Sequence, residues 1–249
     1  MLISKETNPI MSTSTEDIKD WNQIASRYRE FADPDNFIQR QFTAALWDSL
    51  GDVRGLQILD LGCGPGWLSQ QLHEAGAKVL GIDGSAELIK AAQASFPDVE
   101  FLEYDLSLGL PPVGRSFDRV IANMVLMDIP DITLLIQSMH EVLCPRGKFI
   151  FTMQHPCFFH RKSHRDEDGQ LYKKVTGYLK PETWRIEGFG GHNHYHRSLT
   201  YYFDHLRANR LAVTRLYEPE HILQTEKPAE DLAYYRSIPI FIFIEATPL

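Results

Sequence analysis

The stretch QILDLGCGPGWLSQQL, residues 57–72, constrains this chain more than any other. Ile58, Leu59 and Leu61 form the short continuous apolar run of a strand buried on both faces, and Leu68, Leu72 and Ala75 then recur at helical spacing. Gly62, Gly64 and Gly66 stand between the two. Glycines so closely spaced cost conformational entropy that an ordinary turn does not require, and they supply bare main chain that a ligand can approach. A loop between a buried strand and a helix N-terminus also offers unpaired N–H groups and the positive end of the helix dipole. Spacing narrows the ligand. A phosphate-cradling P-loop needs Lys and then Ser or Thr after its last glycine, whereas Gly66 is followed by Trp67 and Leu68. A dinucleotide fingerprint wants a third glycine where Trp67 stands, which weakens a nicotinamide reading without removing it.

Around this junction the chain alternates. From Glu16, the residues Ile18, Trp21, Ala25 and Tyr28 fall on one helical face, and a second amphipathic segment runs from about Asn36 to Leu50, ending at Gly51. Apolar strand-like runs follow at 56–61, 78–83, 99–104, 117–123 and 148–153, separated in most cases by helix-like segments. The clearest of these carries Ile132, Leu135, Ile136, Met139, Val142 and Leu143 and stops before Pro145. Residues 154–195 lose periodicity and read as a lid or substrate-binding insertion. Leu199, Tyr202, Phe203 and Leu206 then predict a helix, and RLAVTRLYE and IPIFIFIEA a closing antiparallel pair. The pattern predicts an α/β fold: a doubly wound, seven-stranded, mostly parallel sheet with an antiparallel last strand, N-terminal helices and a lid after the fifth strand. Residues 1–15 are polar and expected to be disordered, and 16–249 to form a single domain.

The pattern Asp60-x-Gly62-x-Gly64-x-Gly66 resembles the first motif of the class I S-adenosylmethionine-dependent methyltransferases, and the resemblance extends over roughly Trp21 to Ala246. VLGIDGSAELIKAAQ resembles the second motif, with Asp83 ending the strand. Asp83 follows Gly62 at a separation from which an acid can reach a ribose bound over the glycine loop. VEFLEYDLSLGLP places Asp105 where the family accepts from the adenine amino group, with the Leu106 N–H facing a ring nitrogen. FDRVIANMVLMDIPD resembles the fourth strand, with Asn123 and Met124 beside the cofactor. DWNQIASRYREF resembles the first helix of small-molecule methyltransferases, in which an aromatic residue, Tyr28 or else Trp21, closes over the methionine end. The resemblance thus implies a Rossmann-like fold and a cofactor set of Tyr28, Asp60, Gly62, Cys63, Gly64, Asp83, Gly84, Asp105, Leu106 and Asn123. Two residues depart from the pattern. Arg146 replaces a common turn glycine, and Gly84 stands where an apolar residue usually packs on adenine, so another residue must make that contact.

The implied activity is methyl transfer from S-adenosylmethionine to O, N or C of a small organic acceptor, yielding S-adenosylhomocysteine. A non-catalytic cofactor-binding or partner-activating module and an NAD-dependent oxidoreductase are the alternatives. The formal charge of −8 argues against a nucleic-acid partner. The first residues lack the basic-then-apolar pattern of a signal peptide, no membrane-length apolar run is seen, and three cysteines occur without disulfide or metal spacing, so the cytoplasm is the expected location. Seven of the ten histidines fall in 155–205. His192, His194 and His196 could share one face of a strand, but no companion ligands at metal spacing accompany them, so no metal is expected. If the reaction needs a base, His155 and His196 are the candidates. Pro156 holds His155 extended at the end of the fifth strand, and His196 is placed at the start of the following helix, whose dipole would keep it neutral.

Overall fold

The computed structural model describes residues 3–4, 14–32, 37–223 and 226–249. In chain order its elements are β1 (Ile3–Ser4), α1 (Ser14–Phe31), α2 (Phe37–Leu50), β2 (Gln57–Leu61), α3 (Trp67–Glu74), β3 (Lys78–Asp83), α4 (Ala86–Ser95), β4 (Glu100–Glu103), β5 (Phe117–Asn123), α5 (Thr133–Val142), β6 (Leu143–Gln154), β7 (Ser163–Arg165), β8 (Leu171–Lys173), β9 (Glu182–Ile186), β10 (His192–His196), α6 (Leu199–Ala208), β11 (Leu211–Tyr217), α7 (Leu232–Ser237) and β12 (Phe241–Pro248). Short 3-10 turns lie at Leu106–Leu108 and Leu126–Asp128.

Seven strands form the main sheet in the order β11-β12-β6-β5-β2-β3-β4. Only β12 runs against its neighbours, so the expected parallel sheet with an antiparallel last strand is what the chain builds. β3 lies on one side of β2 and β5 on the other. That reversal of winding opens a crevice at the carboxyl ends of β2 and β5, where open α/β sheets bind ligands.

The alternation of side chains across β2 explains the two-sided core. Leu59 and Leu61 enter a cluster with Phe117, Ile132, Leu135, Ile136, Met139 and Tyr202, beneath α5 and α6. Ile58 enters the opposite cluster with Phe42, Leu46, Leu50, Leu72, Ile89 and Phe243, beneath α2, α3 and α4. Each such side chain, fully removed from water, stabilises the fold by roughly 1.5–3 kcal/mol before entropy is counted.

Between β6 and α6 the aperiodic segment is built from β7 paired with β8, and from β9 paired with β10. β1 adds to the outer edge of β9, opposite Ile186 and Arg185. The N-terminal stretch read as disordered lies mainly outside the described residues. Within it, Ile3–Ser4 forms β1 and Ser14 begins α1. His196 requires a correction: it closes β10, and α6 begins at Leu199 after the cap Ser198, whose hydroxyl accepts from the Tyr201 N–H. The Ser198 cap moves the helix start past His196, so no helix dipole acts on its ring.

A candidate cofactor and acceptor cleft

At the end of β2 the chain turns over itself. Gly62 has φ +64°, and a Cβ there would lie 2.3 Å from Val125 Cγ2, so both the turn and the close approach of the segment after β5 require glycine. At Gly64 a Cβ would meet only the Tyr28 ring, at 3.5 Å, and would fill the space between loop and helix α1. The Gly62 and Cys63 N–H groups bond to Ile82 O, fastening the loop to β3.

Asp83 holds the next edge. Its Oδ2 accepts from the Gly64 N–H at 2.9 Å and its Oδ1 from the Ser85 N–H at 2.8 Å. Burial pushes its carboxyl up, and these two bonds pull it back. Each oxygen keeps a free lone pair for a ligand hydroxyl. Asp105 caps the turn after β4, accepting from the Ser107 N–H, and presents Leu106 beside it. After β5, Met124 sits in the left-handed region at φ 59°, held by two bonds from its N–H to Thr152 O and Oγ1. The Thr152 hydroxyl donates in turn to Asn123 Oδ1 at 2.6 Å.

Helix α1 closes the other side with Asp17, Ile18, Trp21 and Tyr28. Trp21 meets Tyr28 edge-on at 5.1 Å and lies against the His192 ring at 4.6 Å. The Tyr28 hydroxyl is pushed up by burial, then by Asp128 and Asp83. β10 fastens the helix: Tyr195 donates to Asp17 Oδ2 at 2.5 Å and Asn193 to Asp17 Oδ1 at 2.8 Å. The result is a cleft of about 690 Å³, part of it open to solvent.

Eight of the ten expected cofactor residues line this cleft: Tyr28, Gly62, Gly64, Asp83, Gly84, Asp105, Leu106 and Asn123. Asp60 and Cys63 do not. Asp60 lies beneath the loop, accepts from the Ser69 hydroxyl at 2.6 Å and is pushed up by burial to about 7, so its side chain braces α3 against the strand. Cys63 is packed into the core with its Sγ 3.0 Å from where a Gly81 Cβ would stand. Neither histidine proposed as a base lines the cleft. His155 donates from Nε2 to Glu218 at 2.8 Å and accepts at Nδ1 from the Cys157 N–H at 3.1 Å, so both ring nitrogens serve the turn after β6. His196 donates from Nε2 to Tyr178 O at 2.8 Å and stacks on Trp184 at 4.9 Å. Burial, not a helix dipole, depresses its pKa.

Sequence reasoning missed Asp17, Asp128, Ile129 and Pro130 as lining residues, and it placed Ile18 on the right helical face without giving it a role. Ile18 fills the gap left by Gly84: its Cγ1 lies 3.1 Å from where a Gly84 Cβ would be. The lining carries four aspartates, Asp17, Asp83, Asp105 and Asp128, and no Lys, Arg or His among the described residues.

A methyltransferase domain profile matches residues 58–147, which span the glycine loop, Asp83, Asp105 and the segment carrying Asp128. The matched segment is a methyltransferase domain. The chain's solved relatives include an S-adenosylmethionine-dependent methyltransferase from Mesorhizobium loti, at 28% identity and a TM-score of 0.70, covering 83% of this chain and 97% of that one. Trans-aconitate 2-methyltransferase of Azoarcus sp. (strain BH72) is 33% identical over 56% of this chain and 53% of its own length. Malonyl-[acyl-carrier protein] O-methyltransferase of Pseudescherichia vulneris is 32% identical over 46% of this chain and 45% of its own. The chain thus spans about half the length of these curated relatives. The methyltransferase core is shared, and the β7–β10 segment lies outside the matched profile. No helix among the described residues is long and apolar enough to cross a membrane.

Proposed function

We propose that this chain binds S-adenosylmethionine and transfers its methyl group to O, N or C of a small organic acceptor, leaving S-adenosylhomocysteine. The observation that carries this reading is the convergence of Gly62, Gly64, Asp83, Asp105 and Leu106 from three neighbouring strand ends on one cleft. The matched profile and the relatives support it over a non-catalytic module or a nicotinamide-dependent oxidoreductase. When bound, S-adenosylmethionine supplies a methyl group already activated by its sulfonium.

In this reading Gly64 and Tyr28 bound the methionine end, and the spare lone pairs of Asp83 receive the ribose hydroxyls. Asp105 and the Leu106 N–H address the adenine edge, and Ile18 supplies the apolar contact that Gly84 cannot. Asn123 and Met124 hold the floor beyond β5. The chain's work is to orient an acceptor and exclude water, which α1 does by covering the cleft. The net charge of −8 and the acidic lining support a small-molecule partner, not a nucleic acid. The three free cysteines support action in the reducing cytoplasm. Calorimetry with S-adenosylhomocysteine tests the reading: one site per chain is expected, and the absence of heat or thermal stabilisation with folded protein would reject it.

A further inference from the structure

The side of the cleft formed by the turn after β5 contains an unexplained polar arrangement. Asp128 ends the 3-10 turn after β5 and lines the cleft. Its Oδ1 is buried without a hydrogen-bond partner among the described residues. Two ring nitrogens face it, His194 Nδ1 at 3.7 Å and His192 Nε2 at 4.0 Å, both too far for a hydrogen bond. The His194 side chain is 6% exposed, and its Nδ1 also lacks a partner among the described residues. An unpaired buried polar atom is costly, and here two of them face each other at the edge of a cleft that admits a ligand.

The surrounding charges state what that ligand can be. Burial pushes the Asp128 carboxyl up, and Asp17, which also lines the cleft, adds to the shift. Arg197 acts against this shift, but its guanidinium is spent on backbone, donating to Leu126 O, Ile129 O and Pro130 O. Those bonds fix the turn that carries Asp128 and leave the guanidinium outside the lining. Arg185 is likewise engaged, with Asp20 and Asn193. Burial holds His192 and His194 neutral. A carboxylate acceptor would therefore enter beside two carboxyl groups with no cation in the lining, among the described residues, to pair with. A hydroxyl or amine would instead give Asp128 Oδ1 the donor it lacks.

We propose that the acceptor carries a hydroxyl or amine as its attacking group, that this group donates its hydrogen to Asp128 Oδ1, and that the cleft rejects carboxylates. The proposal rests on the methyl-transfer reading above. It makes Asp128 the residue that touches the reacting atom, and His194 a neighbour that positions the carboxyl group. As the attacking atom bonds to the methyl carbon and the carbon–sulfur bond breaks with its electron pair on sulfur, the proton from the hydroxyl or amine passes to Oδ1 and then to water.

The test uses the full chain saturated with S-adenosylhomocysteine and three probes sharing one ring: phenol, benzylamine and benzoate. Binding is read by calorimetry or ligand-observed NMR. We expect phenol or benzylamine to bind at least tenfold more tightly than benzoate, and which of the two binds separates hydroxyl from amine. Asp128→Asn should abolish that preference while S-adenosylhomocysteine affinity stays within about threefold, and Asp128→Glu should recover part of it. The retained nucleoside affinity shows that the variants are folded. Benzoate binding as tightly as the others, no binding of phenol or benzylamine, or an unchanged preference in Asp128→Asn would overturn the proposal. Failure of wild-type protein to bind S-adenosylhomocysteine would instead reject the reading beneath it.

Discussion

Acidification should loosen the β9–β10 sheet from the cleft through histidines that the fold holds neutral. His160 is depressed to about 3 by burial and then by His196, Arg161 and His192, and His192 to about 4 by burial and then by Arg185, with Asp20 acting against the shift. His160 is wedged against Trp184 at 4.4 Å and His194 at 4.7 Å and donates to Gln154, while His192 lies between Trp21 and Asp128. The unfolded chain takes up a proton on each ring below about pH 6.5, and the native chain does not. The unfolded state therefore binds more protons, and stability falls as pH drops from 6.5 towards the folded values. Each ring loses about 1.4 kcal/mol per pH unit, or about 2 kcal/mol between pH 6.5 and 5, and the pair about 4 kcal/mol. Asp60 works in the opposite direction. Its carboxyl, raised to about 7, lets the native state bind a proton that the unfolded chain releases until about pH 4, which restores roughly 2 kcal/mol by pH 5. Asp83 and Asp128, raised by burial, act in the sense of Asp60, and His155, His194, His196 and His221, depressed by burial, act with the pair, so a variant must isolate the contribution of His160 and His192. Urea unfolding of wild type and of the His160→Asn/His192→Asn pair, followed by tryptophan fluorescence at pH 7.5 and 5, should show the gap between them changing by about 4 kcal/mol, with the wild type losing more. Parallel pH profiles, or His160 and His192 imidazoles titrating near pH 6.5 in the folded protein, would refute the reasoning.

Three other substitutions test the cleft and its surroundings. Asp83→Ala removes acceptors for two backbone N–H groups as well as for a ligand, so both the melting temperature and S-adenosylhomocysteine affinity should fall, the latter by about 1.5–3 kcal/mol in calorimetry. Ile18→Ala should weaken the same ligand by about 1 kcal/mol, because a half-buried side chain loses the methylenes that occupy the Gly84 gap; an unchanged affinity would show that Ile18 only packs the helix. His155→Asn should leave ligand affinity unchanged and lower stability by about 1–2 kcal/mol through the lost Glu218 bond, and a lost methyl-transfer rate in a stable His155→Asn protein would return that residue to the mechanism.

The centre of the main sheet was legible because β2, β3, β5, β6 and β12 are buried over most of their length, so each reads as an apolar run between helical periods. The position of β12 between β6 and β11 was not, since adjacency in a sheet leaves no mark on the run itself. β10 was hidden for a different reason. HNHYH alternates as a strand should, but three of its inward residues are histidines, which a hydrophobicity pattern counts as polar although the fold buries all three. The same blindness bears on the histidines offered as a base, neither of which lines the cleft. His155 and His196 were chosen for what precedes or follows them in sequence, whereas the ring nearest the cleft carboxyl belongs to His194, two residues before His196.

Gly84 shows how far a departure from a family pattern can carry structural information. A missing apolar side chain in the second motif, taken alone, reads as a weakened adenine contact. In the fold the same absence admits Ile18 from α1, and Gly84 with any side chain at all would press on it at 3.1–3.3 Å. In the proposed binding mode the apolar contact passes from the sheet to the N-terminal helix, and α1 is held in place by Tyr195 and Asn193 of β10 through Asp17. If the nucleoside touches Ile18 as proposed, its binding and the docking of α1 on β10 stabilise each other by linkage. Breaking the Asp17 bonds should accordingly weaken a ligand that Tyr195 and Asn193 do not line.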